Sequence, residues 1–210
     1  MTGELFLGLA IAYLAGSFPT AYLVGRAKGV DLGRAGSGNY GATNVFRTLG
    51  RGPASVALVV DVAKGYLPVA LLPRWMAPAG IAPATFAVLL AIAAVLGHVF
   101  SVFLRFRGGK GVGTAAGAFL ALSPWALLLA VVAWISVLAW RRIVSLASLS
   151  GALVLLAAVL AIHAREWPRH WPLLVLAALL CAFVFWTHRE NIGRLTRGEE
   201  KPIVERGGGA

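Results

Sequence analysis

The stretch "GVGTAAGAFLALSPWALLLAVVAWISVLAWRR", residues 111–142, holds two apolar runs divided at Pro124 and closed by a pair of arginines. The first run, residues 111–122, would be about 18 Å long as a helix, against a bilayer hydrocarbon core of about 30 Å. The second, residues 124–140, is close to spanning length. The two runs are either one helix kinked at Pro124 or two separate passes, and the choice sets the side of everything that follows.

Outward from this stretch the chain keeps the same character. Further apolar segments lie near residues 5–25, 53–72, 81–104, 143–162 and 171–187. Only 13% of the residues are charged, where a soluble domain carries about a quarter. The net charge of +11 would suggest nucleic acid in a soluble chain. Beside runs of spanning length it points instead to cytoplasmic loops, anionic lipid head groups or anionic substrates, and no nucleic-acid partner is expected. The N-terminal run lacks a preceding positive region, so it reads as an uncleaved first span rather than a signal peptide. The single cysteine, Cys181, excludes an intrachain disulfide framework and a cysteine-based metal cluster.

Charge decides the opening question. Seven crossings with the N-terminus outside put Arg74, Arg165 and Arg169 on the outer side and Lys64 within a span; the rest of the 19 Lys and Arg residues fall inside. Merging the runs at Pro124 would export Arg141, Arg142 and the basic C-terminus, against the positive-inside rule. The expected fold is therefore an all-α integral membrane protein of about seven transmembrane helices, the fourth short, with a cytoplasmic C-terminus. A half-length segment is tolerable where protein surrounds it or it lines a cavity. One membrane-embedded domain, residues 1–210, is expected, with a flexible tail at 203–210.

That topology gathers three polar, glycine-rich stretches on the cytoplasmic face. The first is "GRAGSGNYGATNVFR", residues 33–47. It reads either as a plain flexible loop or as a nest of backbone N–H groups able to hold an anion. Ser37, Gly38, Asn39, Gly41, Thr43 and Asn44 would supply the donors, and Arg47 a planar fork matched to phosphate. The second is "GHVFSVFLRFRGGKGVGT", residues 97–114. Its "RGGKG" lacks the Ser or Thr of a P-loop after the lysine. Gly108, Gly109 and Gly111 nevertheless bare the backbone beside Lys110, at the entry to a helix whose dipole favours anions. The third is "HRENIGRLTRGEEKP", residues 188–202, with His188 and Asn191 as candidate polar contacts. His98 and His188 are candidate bases, phosphate ligands or structural donors. Asp61 and Lys64, three residues apart inside a span, form either a self-compensating salt bridge or a substrate contact. Ser17 and Pro19 in "GSFPT" bend or pack span one. Scarce carboxylates and abundant cations give no reason to expect a metal or a cofactor.

The three motifs, in this order and spacing, together with "GSFPT" and "DVAKG", resemble the bacterial acyl-phosphate-dependent glycerol-3-phosphate acyltransferase family. The resemblance runs from about residue 16 to 202. Ser101 stands where proline is common in that family, Gly113 where alanine is, and Gly193 where a basic residue is. The resemblance implies a multi-pass bacterial inner-membrane enzyme with a cytoplasmic active site. It would move a fatty acyl group from acyl phosphate to the 1-hydroxyl of sn-glycerol 3-phosphate, giving lysophosphatidic acid and phosphate for phospholipid synthesis. A separate soluble phosphate acyltransferase would supply the donor, and membrane lipids are the remaining partners.

The residues fit such chemistry. Acyl phosphate is already activated, so alignment and charge stabilisation are the main needs. The Ser37–Asn44 loop with Arg47 would hold one phosphate, and Lys110 with its glycines the other. Asn191 and His188 would orient the glycerol hydroxyls. The donor phosphate itself, His98 or His188 would take the proton. A histidine followed five positions on by aspartate, the pattern of the other large acyltransferase class, is absent: those positions are Phe103, Pro168, Val175 and Gly193. Two rival readings are a small anion transporter, suggested by the buried Asp61 and Lys64, and a lipid-binding scaffold.

Overall fold

The computed structural model describes residues 2–76 and 78–203. Among them the chain is helical throughout. In order, the helices are α1 (Thr2–Ser17), α2 (Thr20–Ala27), α3 (Ala42–Leu49), α4 (Arg51–Trp75), α5 (Pro83–Val99), α6 (Val112–Leu122), α7 (Pro124–Arg141), α8 (Val144–His163), α9 (Trp167–Thr187) and α10 (Arg189–Thr196), with short 3₁₀ turns at Val102–Leu104 and Ala164–Glu166. Six stretches are long and apolar enough to cross a membrane: Gly3–Ala27, Arg51–Trp75, Pro83–Leu104, Pro124–Arg141, Val144–His163 and Pro168–Thr187. Helix α6, at 11 residues, is apolar but shorter. Pro124 begins α7, where its missing N–H costs nothing, so the two runs of the opening stretch are separate helices.

The chain forms two compact units, Met1–Pro124 and Trp125 onward. In the first, α1 packs on α5 and α4 on α6, with α4 also touching α1, α3 and α5. Both main pairs depend on absent side chains. A Cβ on Gly97 would strike the Tyr13 carbonyl, and one on Gly16 the carbonyl of Ala94. Gly117 lies in the same way against Val62, and Gly65 against Thr114. In a membrane, where lipid is as apolar as leucine, such close backbone approach is what holds helices together. In the second unit α8 packs on α9, and α10 on both. The buried face of α8 mixes small and polar residues, Ser145, Ala147, Ser148 and Gly151, with Leu149, Ala158 and Val159, and Ser148 accepts a hydrogen bond from Trp134 Nε1 of α7 at 3.2 Å.

Span one is not continuous. Pro19 has no N–H to give and disfavours helical geometry at Phe18, so α1 stops at Ser17 and α2 restarts at Thr20. The break frees two carbonyls inside the protein, and both are answered by other segments. The Ser17 carbonyl accepts from Ser101 Oγ at 2.6 Å, and the Phe18 carbonyl from Lys64 Nζ at 3.1 Å. Ser101, the residue that departs from the resembled family's proline, thus has a definite structural partner.

The flexible tail expected from residue 203 falls almost wholly on residues 204–210, outside the described residues. Ile203 itself is tied down, its N–H donating to the Arg142 carbonyl at 2.7 Å.

Candidate functional site

The helix break, α4 and the end of α5 converge on a cluster of buried polar groups in the first unit. Lys64 Nζ lies 2.9 Å from Asp61 Oδ1, and both side chains are almost wholly buried. Spacing of three residues on a helix makes this pair possible, and the lack of water makes it necessary. His98, 6% exposed, brings Nδ1 to 3.6 Å from the same Asp61 oxygen. That separation is a polar contact but too long for a hydrogen bond. Beside the cluster is a cavity lined by residues including Ser17, Thr20, Tyr40, Asp61, Lys64, His98, Ser101, Gly108 and Gly109, of about 10 Å³. That is close to the room one water needs. Among the described residues the hydroxyls of Ser17 and Thr20, and His98 Nδ1, find no hydrogen-bond partner.

The second glycine stretch closes over this cluster. Arg105 and Phe106 both take left-handed backbone, φ 52 and φ 62, a rare state for side-chain-bearing residues. The chain then folds back on α5. Gly108 N–H donates to the Val99 carbonyl at 2.9 Å and Gly109 N–H to the His98 carbonyl at 3.2 Å. These are last-turn carbonyls with no partner inside their own helix. A Cβ on Gly109 would collide with His98 Nε2, and one on Gly108 with the His98 carbonyl. Lys110 is half-buried immediately after this clamp, and Gly111, at φ 83, turns the chain into α6.

The first polar loop, residues 33–47, is tied by hydrogen bonds of its own. Leu32 and Val45 are buried with Ala21, Ala54 and Ala57 in a small apolar core. Asn44, 1% exposed, ties the loop from within. Its Nδ2 donates to the carbonyls of Leu32 and Ala35 at 3.1 and 3.0 Å, and its Oδ1 accepts from the Ser37 N–H at 2.8 Å. The sequence reading offered Asn44 and the Ser37 amide to a ligand; here each satisfies the other, and Gly38 N–H is also bonded, to the Ala35 carbonyl. Ser37, Gly38 and Arg47 remain at the surface, with Asn39, Gly41 and Thr43 half-buried. Tyr40 reaches from this loop to the cavity wall. Partial burial, and then the Asp31 carboxylate and Tyr22, push its phenol above its ordinary value, while Arg107 of the second loop pulls it down. The first two stretches are therefore neighbours within one unit.

The third stretch belongs to the second unit. His188 Nδ1 donates to the Val184 carbonyl at 2.8 Å, which in a neutral ring makes Nε2 the lone-pair nitrogen. Asn191 Nδ2 donates to Glu200 Oε1 at 2.5 Å; Ser145 Oγ donates to the same oxygen at 2.8 Å, and Arg194 Nε to Oε2 at 2.6 Å. Burial alone would raise the Glu200 carboxyl, but the donors from Asn191, Arg194 and Ser145 outweigh it and hold it below its ordinary value of 4.5. A depressed native value means the stabilisation is complete above pH 4.5 and is lost as pH falls through the native value. Glu200→Gln is accordingly expected to melt at a lower temperature than the parent at neutral pH. The gap should narrow on acidification, as thermal unfolding in detergent across pH will read.

Sequence reasoning thus picked out Asp61, Lys64, His98, Gly108 and Gly109, which the fold brings to one cavity. It missed the orphaned hydroxyl of Thr20, the inward role of Asn44 and the Glu200 hub. None of the three stands out beforehand: Glu200 is one of three carboxylates in residues 188–202. Among the described residues no group of three or more His, Cys, Asp or Glu could hold a metal ion.

Comparison with known proteins gives a consistent picture. A family model described as glycerol-3-phosphate acyltransferase matches residues 6–198. A glycerol-3-phosphate acyltransferase of Anaeromyxobacter sp. (strain Fw109-5) is 45% identical over 194 residues, covering 92% of this chain and 93% of the relative. One from Thermus thermophilus is 42% identical over 203 residues, 94% of each chain. Among solved structures, the integral membrane glycerol 3-phosphate acyltransferase PlsY (YgiH) in its glycerol 3-phosphate form superposes with a TM-score of 0.86. It is 33% identical, over 95% of this chain and 96% of that one. Its lysophosphatidic acid form gives a TM-score of 0.82 at 34% identity, over 95% of each chain.

Proposed function

The chain belongs to the glycerol-3-phosphate acyltransferase family, and from that premise we propose that it acylates the 1-hydroxyl of sn-glycerol 3-phosphate using acyl phosphate. The hydroxyl oxygen attacks the acyl carbonyl, the carbon–oxygen bond to phosphate breaks, and the hydroxyl proton leaves with the phosphate. The products are lysophosphatidic acid and inorganic phosphate. The observation that carries this reading is the likeness to an enzyme crystallised in both a glycerol 3-phosphate and a lysophosphatidic acid form. Those two molecules are the acceptor and the acylated product of such a transfer.

Within the first unit, Lys110 on its clamped loop neutralises charge on the departing phosphate. Arg47, with the Ser37 hydroxyl, Asn39, Gly41 and Thr43 around the start of α3, holds the phosphate of the acceptor. Gly108 and Gly109, whose N–H groups are spent on α5, seat the Lys110 loop, and Gly111 turns it into α6. The roles of His188 and Asn191 toward the glycerol hydroxyls rest on the sequence resemblance. The charge distribution supports an outer N-terminus, a cytoplasmic site in the bacterial inner membrane, and a soluble enzyme as the source of donor. Family membership weighs against the transporter and scaffold readings.

The test is direct. Purified protein with glycerol 3-phosphate should form lysophosphatidic acid from palmitoyl phosphate and none from palmitoyl-CoA. Product from palmitoyl-CoA alone would reject the donor. No product from either would reject the enzyme.

A further inference from the structure

Four separate segments meet at Asp61, and the contacts form a chain. The break in span one is held by Lys64 Nζ on the Phe18 carbonyl at 3.1 Å. Lys64 is held by Asp61 at 2.9 Å. The same Asp61 oxygen faces His98 Nδ1 at 3.6 Å. The His98 ring occupies the space a Gly109 side chain would need, and its carbonyl takes the Gly109 N–H at 3.2 Å. Lys110 is the next residue. The Asp61 and Lys64 side chains are almost wholly buried, and each is already paired with the other. Whatever Asp61 does for the reaction therefore passes through the elements it holds.

From this geometry we infer that Asp61 is a positioning residue, which fixes the Lys110 loop against the broken first span through Lys64 on one side and His98 on the other. A salt bridge kept only to neutralise two buried charges needs no third partner. Here His98 is seated between the carboxylate and the glycine loop, and Gly109 has room for no other side chain beneath it. His98 thereby serves as the bearing for the loop.

The bland alternative is a self-compensating ion pair, and it makes a different prediction. Buried pairs of that kind tolerate joint replacement by apolar residues of similar size. The decisive variant is the double substitution Asp61→Leu with Lys64→Met in the full chain in detergent. Two readouts follow in the folded protein. Hydrogen exchange at the Gly108 and Gly109 amides should accelerate by about tenfold or more, while exchange in the middle of α5 stays as in the parent. The kcat for lysophosphatidic acid formation should fall by about 100-fold with the KM for glycerol 3-phosphate little changed, as expected when a charged group is displaced by about an ångström.

Unchanged exchange at both glycines overturns the inference, whatever the activity. This inference rests on the proposed role of Lys110 only in its kinetic arm. A parent that makes no product while the variant still loosens the loop would sink the acyl-transfer reading and leave the positioning role standing. If the double variant does not fold, His98→Asn and His98→Leu replace it. Asparagine keeps a polar group facing the carboxylate, as Nδ1 does, and should restrain the glycine amides more than leucine does. Equal exchange in both variants overturns the inference.

Discussion

Lys110→Met is expected to lower kcat/KM by about 10³-fold, with the melting temperature within a few degrees of the parent. Removal of one preorganised group that meets developing charge costs about 10²–10³-fold in enzymes generally, and here the group carries a full charge. The lysine stands half-buried on a loop whose two preceding glycines are bonded to the end of α5. The backbone that carries it is therefore held before substrate arrives, and methionine keeps most of the apolar stem while deleting the ammonium group. The loss should fall mainly on kcat, because charge on the departing phosphate grows as the carbon–oxygen bond breaks. Arg47→Gln should behave differently. Arg47 is exposed in the last turn of α3; if it holds the acceptor phosphate in ground and transition states alike, its loss raises the KM for glycerol 3-phosphate more than it lowers kcat. Steady-state kinetics on the two purified variants read the split directly. Retention of more than about a tenth of parental kcat by Lys110→Met would remove the lysine from the chemical step.

Gly108→Ala is the second large effect, and its origin is steric. The new methyl would meet the His98 carbonyl oxygen, with the Val99 oxygen 2.8 Å away, both backbone atoms of a packed helix. Neither can rotate aside, so the loop has to leave α5 and give up the bonds from Gly108 and Gly109. A stability loss of about 1–3 kcal/mol is expected from such overpacking. A fall of about 100-fold in kcat should accompany it as Lys110 is displaced. Gly109→Ala meets the His98 imidazole instead, a side chain. Its defect should be milder, because an imidazole can shift where a helix carbonyl cannot. Gly113→Ala is the internal control. Its methyl would lie 3.2 Å from the Asp61 Cβ, a contact a small shift can absorb, and activity near the parent's is expected. If Gly108→Ala and Gly113→Ala lose the same small amount of activity, the fold-back of the loop has no bearing on the reaction.

The ease with which parts of this protein could be read ahead of its fold differs from residue to residue. The apolar runs, the separation of α6 from α7 at Pro124 and the pairing of Asp61 with Lys64 are matters of spacing along one helix or one stretch. Pro19 announced a disturbance in span one. It did not announce that the freed carbonyls would be taken by Lys64 and Ser101, 46 and 84 positions away in sequence. Asn44 shows the limit most clearly. In a loop rich in glycine its amide reads as a ligand for an anion, yet it lies buried and binds the loop to itself. Its side chain carries no mark that distinguishes the two uses. Glu200 is similar: its three donors come from Ser145, Asn191 and Arg194, and only the last two are near it in the chain.

By itself, then, the sequence determined what depends on sums over neighbouring residues. Transfer of each side chain from water to lipid contributes nearly independently, so run length and loop charge are enough to mark spans and favour an orientation. The tertiary structure decided which polar groups are used up inside and which are left at the surface. That outcome depends on backbone groups made available by a helix break or a helix end, and on glycines that let distant segments close on them. Asp61, Lys64 and His98 were visible one by one as unusual residues in apolar segments. Their union beneath the Lys110 loop exists only because α4, α5 and the broken first span come together around them.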